Sequence, residues 1–126
     1  MFKNIKTAEQ IAQEKAQQES AKLPAIRKRK EAEGVVINGI RYAGDSGNRQ
    51  ALKEAIDLAA ELNITTFPSW KDSDGNFHAN HSSADVKAAL LAIASRRGEL
   101  IALEGQYTAG VLDGTITDVE LLTWTT

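Results

Sequence analysis

The chain has no cysteine, only two prolines, and an aromatic content of 6%. Without cysteine there is no disulfide framework, no thiolate nucleophile and no cysteine-bound metal centre. Neither sign of charge dominates: 15 Lys plus Arg stand against 17 Asp plus Glu, so the formal charge of -2 gives no overall pull toward nucleic acid or anionic lipid. Long hydrophobic runs are missing too. The longest, Ala88–Ala94, falls far short of the roughly 20 residues a membrane-spanning helix needs. Met1–Lys6 also lacks the apolar core of a secretory signal. These absences predict a soluble protein made in a reducing cytosol.

What is present is an ordinary globular composition, 42% hydrophobic and 25% charged over 126 residues. That suits one domain with an appendage, and a chain of this size buries roughly two thirds of its unfolded surface without disulfides.

Residues 7–33 stand apart, rich in Gln, Glu, Lys, Arg and Ala, with large apolar residues only at Ile11, Leu23 and Ile26. Thr7 with Gln10 three residues on has the form of a capping box and predicts a helix start. Pro24 predicts a break or kink near Ala21–Pro24, with a second helical segment ending at Gly34. A helix this polar is not stable by propensity alone. Ile5, Ile11, Ala12, Ala16, Leu23 and Ile26 form the stripe it offers to a partner or a second copy, and a frayed lead-in helix is the other reading. Both make the segment an arm outside the core.

Gly34–Gly44 carries Asn38-Gly39 between β-branched and aromatic residues, a strong hairpin signal. A helix capped by Asp45, Ser46 or Asn48 follows, with Leu52, Ala55, Ile56, Ala59 and Leu62 at helical spacing and packed on a sheet. A second hairpin pairs Thr65–Lys71, held to an edge by Pro68, with Phe77–Asn80 through the Asp72–Asn76 turn. Ser82 and Asp85 then cap a long helix that Asp113-Gly114 stops. For residues 115–126 a short helix and an added strand both fit.

The fold class is therefore α+β: a small globular domain of two β-hairpins each followed by a helix (residues 35–126), preceded by an extended N-terminal helical arm (residues 1–34) for docking or oligomerisation.

Candidate chemistry is thin. Asp72, Asp74, Asn76, His78, His81 and Asp85 resemble a calcium loop only in part, since the sixth and twelfth positions are Phe77 and Ser83 rather than Gly and an acid. Two histidines in a turn do not complete a zinc site. No serine or threonine has a base and an orienting group, so neither a catalytic residue, a metal nor a cofactor is assigned. Arg27-Lys28-Arg29-Lys30 is a true cationic run, yet Glu31 and Glu33 follow, no aromatics interleave, and the run lies at a helix C-terminus where cations meet the negative dipole end. It suits an acidic protein surface better than nucleic acid. Trp124, in a terminal segment flanked by threonines and close to Leu122, is the tail residue assigned to an interface.

From Val35 onward the order of elements resembles a domain of unknown function that recurs in tailed-bacteriophage tail-fibre, tail-spike and tail-assembly proteins. The resemblance rests on Ile37–Asp45, the helix Arg49–Leu62, the stretch Trp70–Asn76 and the capped helix Ser83–Ile101, about 70 residues in all. It implies a non-enzymatic structural or accessory protein of a tail fibre or baseplate, made in the host bacterial cytoplasm and located in the virion tail. Its implied partners are other tail proteins, in a homo-oligomer or multi-copy assembly, with no membrane. An assembly chaperone absent from the finished particle is the alternative, and a small nucleic-acid-binding regulator is a more remote one.

Overall fold

The structure, a computed structural model, describes residues 5–126. Its elements in chain order are α1 (Ala8–Glu33), β1 (Val35–Ile37), β2 (Ile40–Tyr42), α2 (Ser46–Leu62), β3 (Thr66–Lys71), β4 (Phe77–Ser82) and α3 (Ser83–Leu112), then a 3-10 turn at Val119–Leu121. The mixed helix and hairpin order follows the α+β pattern. Among the described residues no helix is long and apolar enough to cross a membrane.

Helix α1 starts where its capping box places it. Thr7 Oγ1 accepts from the Gln10 amide at 3.1 Å, and the Thr7 amide donates back to Gln10 Oε1 at 2.9 Å. The break expected at Ala21–Pro24 does not occur, because the helix runs on through Pro24 to Glu33. An interior proline costs about 3 kcal/mol. Leu23 and Ile26, 0% and 7% exposed on either side of it, each contribute about 1.5 to 3 kcal/mol by burial, enough to offset that cost. The helix stops at Gly34, whose φ of +74° suits glycine and where a Cβ would stand 1.8 Å from the Tyr42 carbonyl oxygen.

The Asn38-Gly39 turn has φ of +51° and +79°, the doubly positive geometry that matches strand twist, and closes β1 on β2 with Val35 opposite Tyr42. In the second ribbon Phe67 pairs with His81 and Trp70 with His78, while the intervening Pro68–Asn80 pair is absent from the ladder. Proline has no amide hydrogen to donate. Strand β4 continues to Ser82, so the two histidines expected in a turn lie on a strand. The ribbons are separate two-stranded sheets. They are tied by the Ser73 amide donating to the Arg41 carbonyl at 3.2 Å and by the Ala43 amide donating to Ser73 Oγ at 2.7 Å.

Two apolar clusters share α3 as a spine. Tyr42, Leu52, Ala59, Phe67, Val86, Ala89 and Ile93 form one, so α2 buries its face against α3 and both ribbons rather than on a broad sheet. Leu23, Ile26, Leu100, Val111, Val119 and Trp124 form the other. Helix α3 reaches both because its 30 residues span about 45 Å. Of the two forms open for the segment 115–126, the structure has a short helix rather than a strand: a single 3-10 turn at Val119–Leu121, with Asp118 accepting from the Glu120 amide at 3.0 Å, followed by irregular chain.

Candidate docking site

Helices α1 and α3 run antiparallel, and polar contacts lock them at one end. Arg27 donates through Nε to Glu104 at 2.8 Å and through Nη1 to Glu31 at 2.7 Å, while Arg97 Nε also reaches Glu31 at 3.0 Å. The Arg96 guanidinium donates to the Lys30 carbonyl at 2.5 Å. The contact with Glu104, followed by the charge of Glu31, raises the Arg27 pKa, so the guanidinium is a fixed cation inside the helix pair.

Toward the start of α1 the pair opens. Leu23 fills the space against α3, but the next apolar residues back along the same face are Ala16 and Ala12, against the last turn of α3 at Val111 and Leu112. Alanine side chains are too short to close the gap. A groove of about 480 Å³ is left, within the size range of binding clefts. Its far end is formed by the turn after α3, where Ile116 packs so tightly on Gly110 that a Cβ there would lie 2.5 Å from Ile116 Cδ1. The Ile116 amide fastens that turn by donating to the Gly110 carbonyl at 3.0 Å.

The groove is apolar inside and mostly acidic around. Ala12, Ala16, Val111, Leu112 and Ile116 supply the apolar surface; Glu9, Glu19, Asp113 and Lys15 supply the charge. The Lys22 hydrogen bond, then the Val119 amide, holds the Glu19 carboxyl below its ordinary value. The Thr115 hydroxyl and amide do the same for Asp113. Both are anions at neutral pH.

A second hollow of about 360 Å³ lies near the other end of α1, between Ile26, Arg29, Lys30 and Glu33 and the tail residues Val119, Glu120, Leu122 and Trp124. The Trp124 indole packs edge-on against Tyr107 at 5.1 Å, and its Nε1–H is buried without an acceptor among the described residues.

Residues 11–123 match DUF4376, a domain of unknown function. The chain belongs to the DUF4376 family. Comparison with curated proteins and with solved structures gives no match. The family match is longer than the resemblance drawn from Val35 to Ile101, and it takes in most of α1 and the 3-10 turn.

Within this DUF4376 domain the residues assigned to the arm separate into three groups. Ala12 and Ala16 line the groove. Leu23 and Ile26 are core, so they are not available to a partner, and the reading of residues 1–34 as an arm outside the core is corrected for the half of α1 that carries them. Ile5 and Ile11 are 68% and 55% exposed; at about 100° per residue Ile11 is rotated well away from Ala12 and Ala16. The cationic run divides too: Arg27 is committed inside the chain, Lys28 faces solvent, and Arg29 and Lys30 border the second hollow. Trp124 is 8% exposed and Leu122 packs beside the same cluster, so the tail is core rather than a free interface. Tyr107 is the cause, since its ring receives Trp124 and its hydroxyl donates to the Thr123 carbonyl.

The groove residues of α3 and its following turn were not among the sequence candidates. A signal existed, because Leu100, Leu103, Tyr107 and Val111 continue the apolar spacing to the end of the helix.

The Asp and His cluster of the second hairpin serves the fold. Asp72 accepts from the Asp74 and Asn76 amides, both at 2.9 Å, and meets His78 Nε2 at 2.7 Å. The His78 contact, then the Asn76 amide, brings its pKa down to about 2. Among the described residues no three His, Asp or Glu side chains are placed to hold a metal ion.

Proposed function

We propose that this DUF4376 chain is a non-enzymatic structural or accessory protein of a bacteriophage tail, acting by protein–protein docking in a fibre or baseplate. The observation that carries the docking part is the apolar groove at the opening of the α1–α3 pair, a surface that packing among the described residues leaves unfilled. The tail setting is supported by the sequence resemblance from Ile37 to Ile101. In this reading the protein is made in the host cytoplasm and incorporated in several copies beside other tail proteins.

Mass spectrometry of purified particles tests it. Detection at a ratio comparable to fibre or baseplate proteins is the expected result. Absence from particles, with the protein bound to unassembled fibre in the lysate, overturns the structural role and assigns an assembly chaperone instead.

A further inference from the structure

We infer that the groove seats one amphipathic helix from a different protein, with a Leu/Ile stripe toward the groove and Lys or Arg along both margins of the stripe. This rests on the docking reading above and names the chemistry of the partner.

Length comes first. The α1 residues lining the groove run from Glu9 to Glu19, which is about 15 Å of helix, or three turns. A partner helix laid along it places two or three aliphatic side chains, at i, i+3 or i+4, and i+7, into the space that Ala12 and Ala16 leave open. Leu112, 62% exposed at the groove, gains cover in the same step.

Charge selects among helices. The lining carries three carboxylates and one ammonium. Glu19 is matched by Lys22 at 2.7 Å, leaving Glu9 on α1 and Asp113 beyond α3 on opposite walls, two carboxylates against the single ammonium of Lys15. A helix with cations on both margins meets both carboxylates; an acidic helix, a phosphate backbone or an anionic lipid surface is repelled. The basic run of a second copy does not fit, because Arg27–Lys30 sits on the helix whose apolar residues Leu23 and Ile26 are already buried, so it has no aliphatic stripe to offer beside those cations. A second copy docked through another face is the outcome the sedimentation measurement below tests.

The experiment uses the full chain and three fluorescein-labelled peptides of about 18 residues, long enough for measurable helix. One is a Leu/Lys sequence with its leucines on one face, one replaces Lys by Glu, and one scrambles the Leu/Lys sequence so that no face is apolar. Fluorescence anisotropy is expected to show the patterned Leu/Lys peptide binding at least about tenfold more tightly than either control. Ala12→Trp, which plugs the groove, should abolish that preference. Glu9→Lys, a surface change that leaves the packing intact, should weaken binding by about threefold or more at low salt, with the difference shrinking at high salt. Circular dichroism of each variant confirms the fold. Equal binding of the Leu/Glu or scrambled peptide overturns the inference. So does indifference to both substitutions, or a dimer of the free protein, seen by sedimentation, that Ala12→Trp dissolves. Particles lacking the protein refute the tail setting without touching this result, and failed peptide selectivity leaves the tail setting standing.

Discussion

The Tyr42 hydroxyl on the first ribbon lies 2.5 Å from Nε2 of His81 on the second, and the His81 ring stacks on Trp70 at 5.2 Å. Burial, then the charges of Asp85 and Asp72, pushes the Tyr42 pKa up to about 12, so the phenol keeps its proton. Burial also lowers the His81 pKa, a shift that His78 reinforces and Asp85 opposes, so the imidazole is neutral at pH 7 and accepts the phenol hydrogen. This buried side-chain hydrogen bond thus adds to the Ser73 contacts that tie two hairpins sharing no strand ladder.

Acid sensitivity follows from the direction of the His81 shift. An unfolded chain takes up a proton near the ordinary value of 6.5, while the folded chain resists until lower pH. Stability is therefore full above 6.5 and falls as pH drops below it. Asp72 acts in a separate, lower window: its contribution is present above 3.8 and is lost as pH falls toward about 2. Urea midpoints measured from pH 7.5 down to 5 should decline, and His81→Phe should flatten that decline. At pH 7.5 Tyr42→Phe should cost about 1 to 2 kcal/mol, and the double variant less than the sum of the two, because removing both partners leaves no buried polar group unpaired.

Arg27 and Lys28 are adjacent cations with opposite expected behaviour. The Arg27 side chain is 12% exposed between Glu31 and Glu104. Arg27→Ala should destabilise by about 2 to 4 kcal/mol, toward the lower end of a broken buried pair because Arg97 still reaches Glu31. Lys28→Ala on the solvent face should stay within about 0.5 kcal/mol. Equal losses in chemical denaturation would contradict the packed position of Arg27.

Leu23 and Ile11 report on which half of α1 belongs to the core. Leu23→Ala empties a fully buried position and should cost about 2 to 5 kcal/mol. Ile11→Ala, at a site 55% exposed, should change stability by less than about 0.5 kcal/mol. Thermal melts of the two variants settle this directly.

Gly34 and Gly98 make a third contrast. Alanine at Gly34 brings a Cβ within 1.8 Å of a carbonyl oxygen at a φ of +74°, and should prevent the hairpin from docking against the end of α1. Alanine at Gly98, inside α3 with no atom within 4 Å of the new methyl, should stabilise by about 0.5 to 1 kcal/mol. A raised melting temperature for the second and a collapsed, low-cooperativity melt for the first are the expected outcomes.

Much of the fold was readable because its signals are local. Thr7 with Gln10, Ser82 with Asp85, and Asn38 with Gly39 each act across three residues or fewer, through contacts the chain makes before any tertiary packing. The candidate site was less readable. Ala12 and Ala16 were found by their spacing, but their role as the open wall of a groove depends on Val111 and Ile116, about a hundred residues away.

Composition and local pattern alone were enough to establish the missing thiol chemistry, the two hairpins, the helix after each of them and the caps that start α1 and α3, since each follows from side-chain identity or from hydrogen bonds a few residues long. Packing decided the rest. It carried α1 through Pro24 because Leu23 and Ile26 meet α3, turned Trp124 from a free anchor into core through Tyr107, committed Arg27 to Glu104, and left the groove where two alanines face the end of another helix. Those outcomes compare burial against local preference between distant segments, and that balance exists only once the segments are brought together.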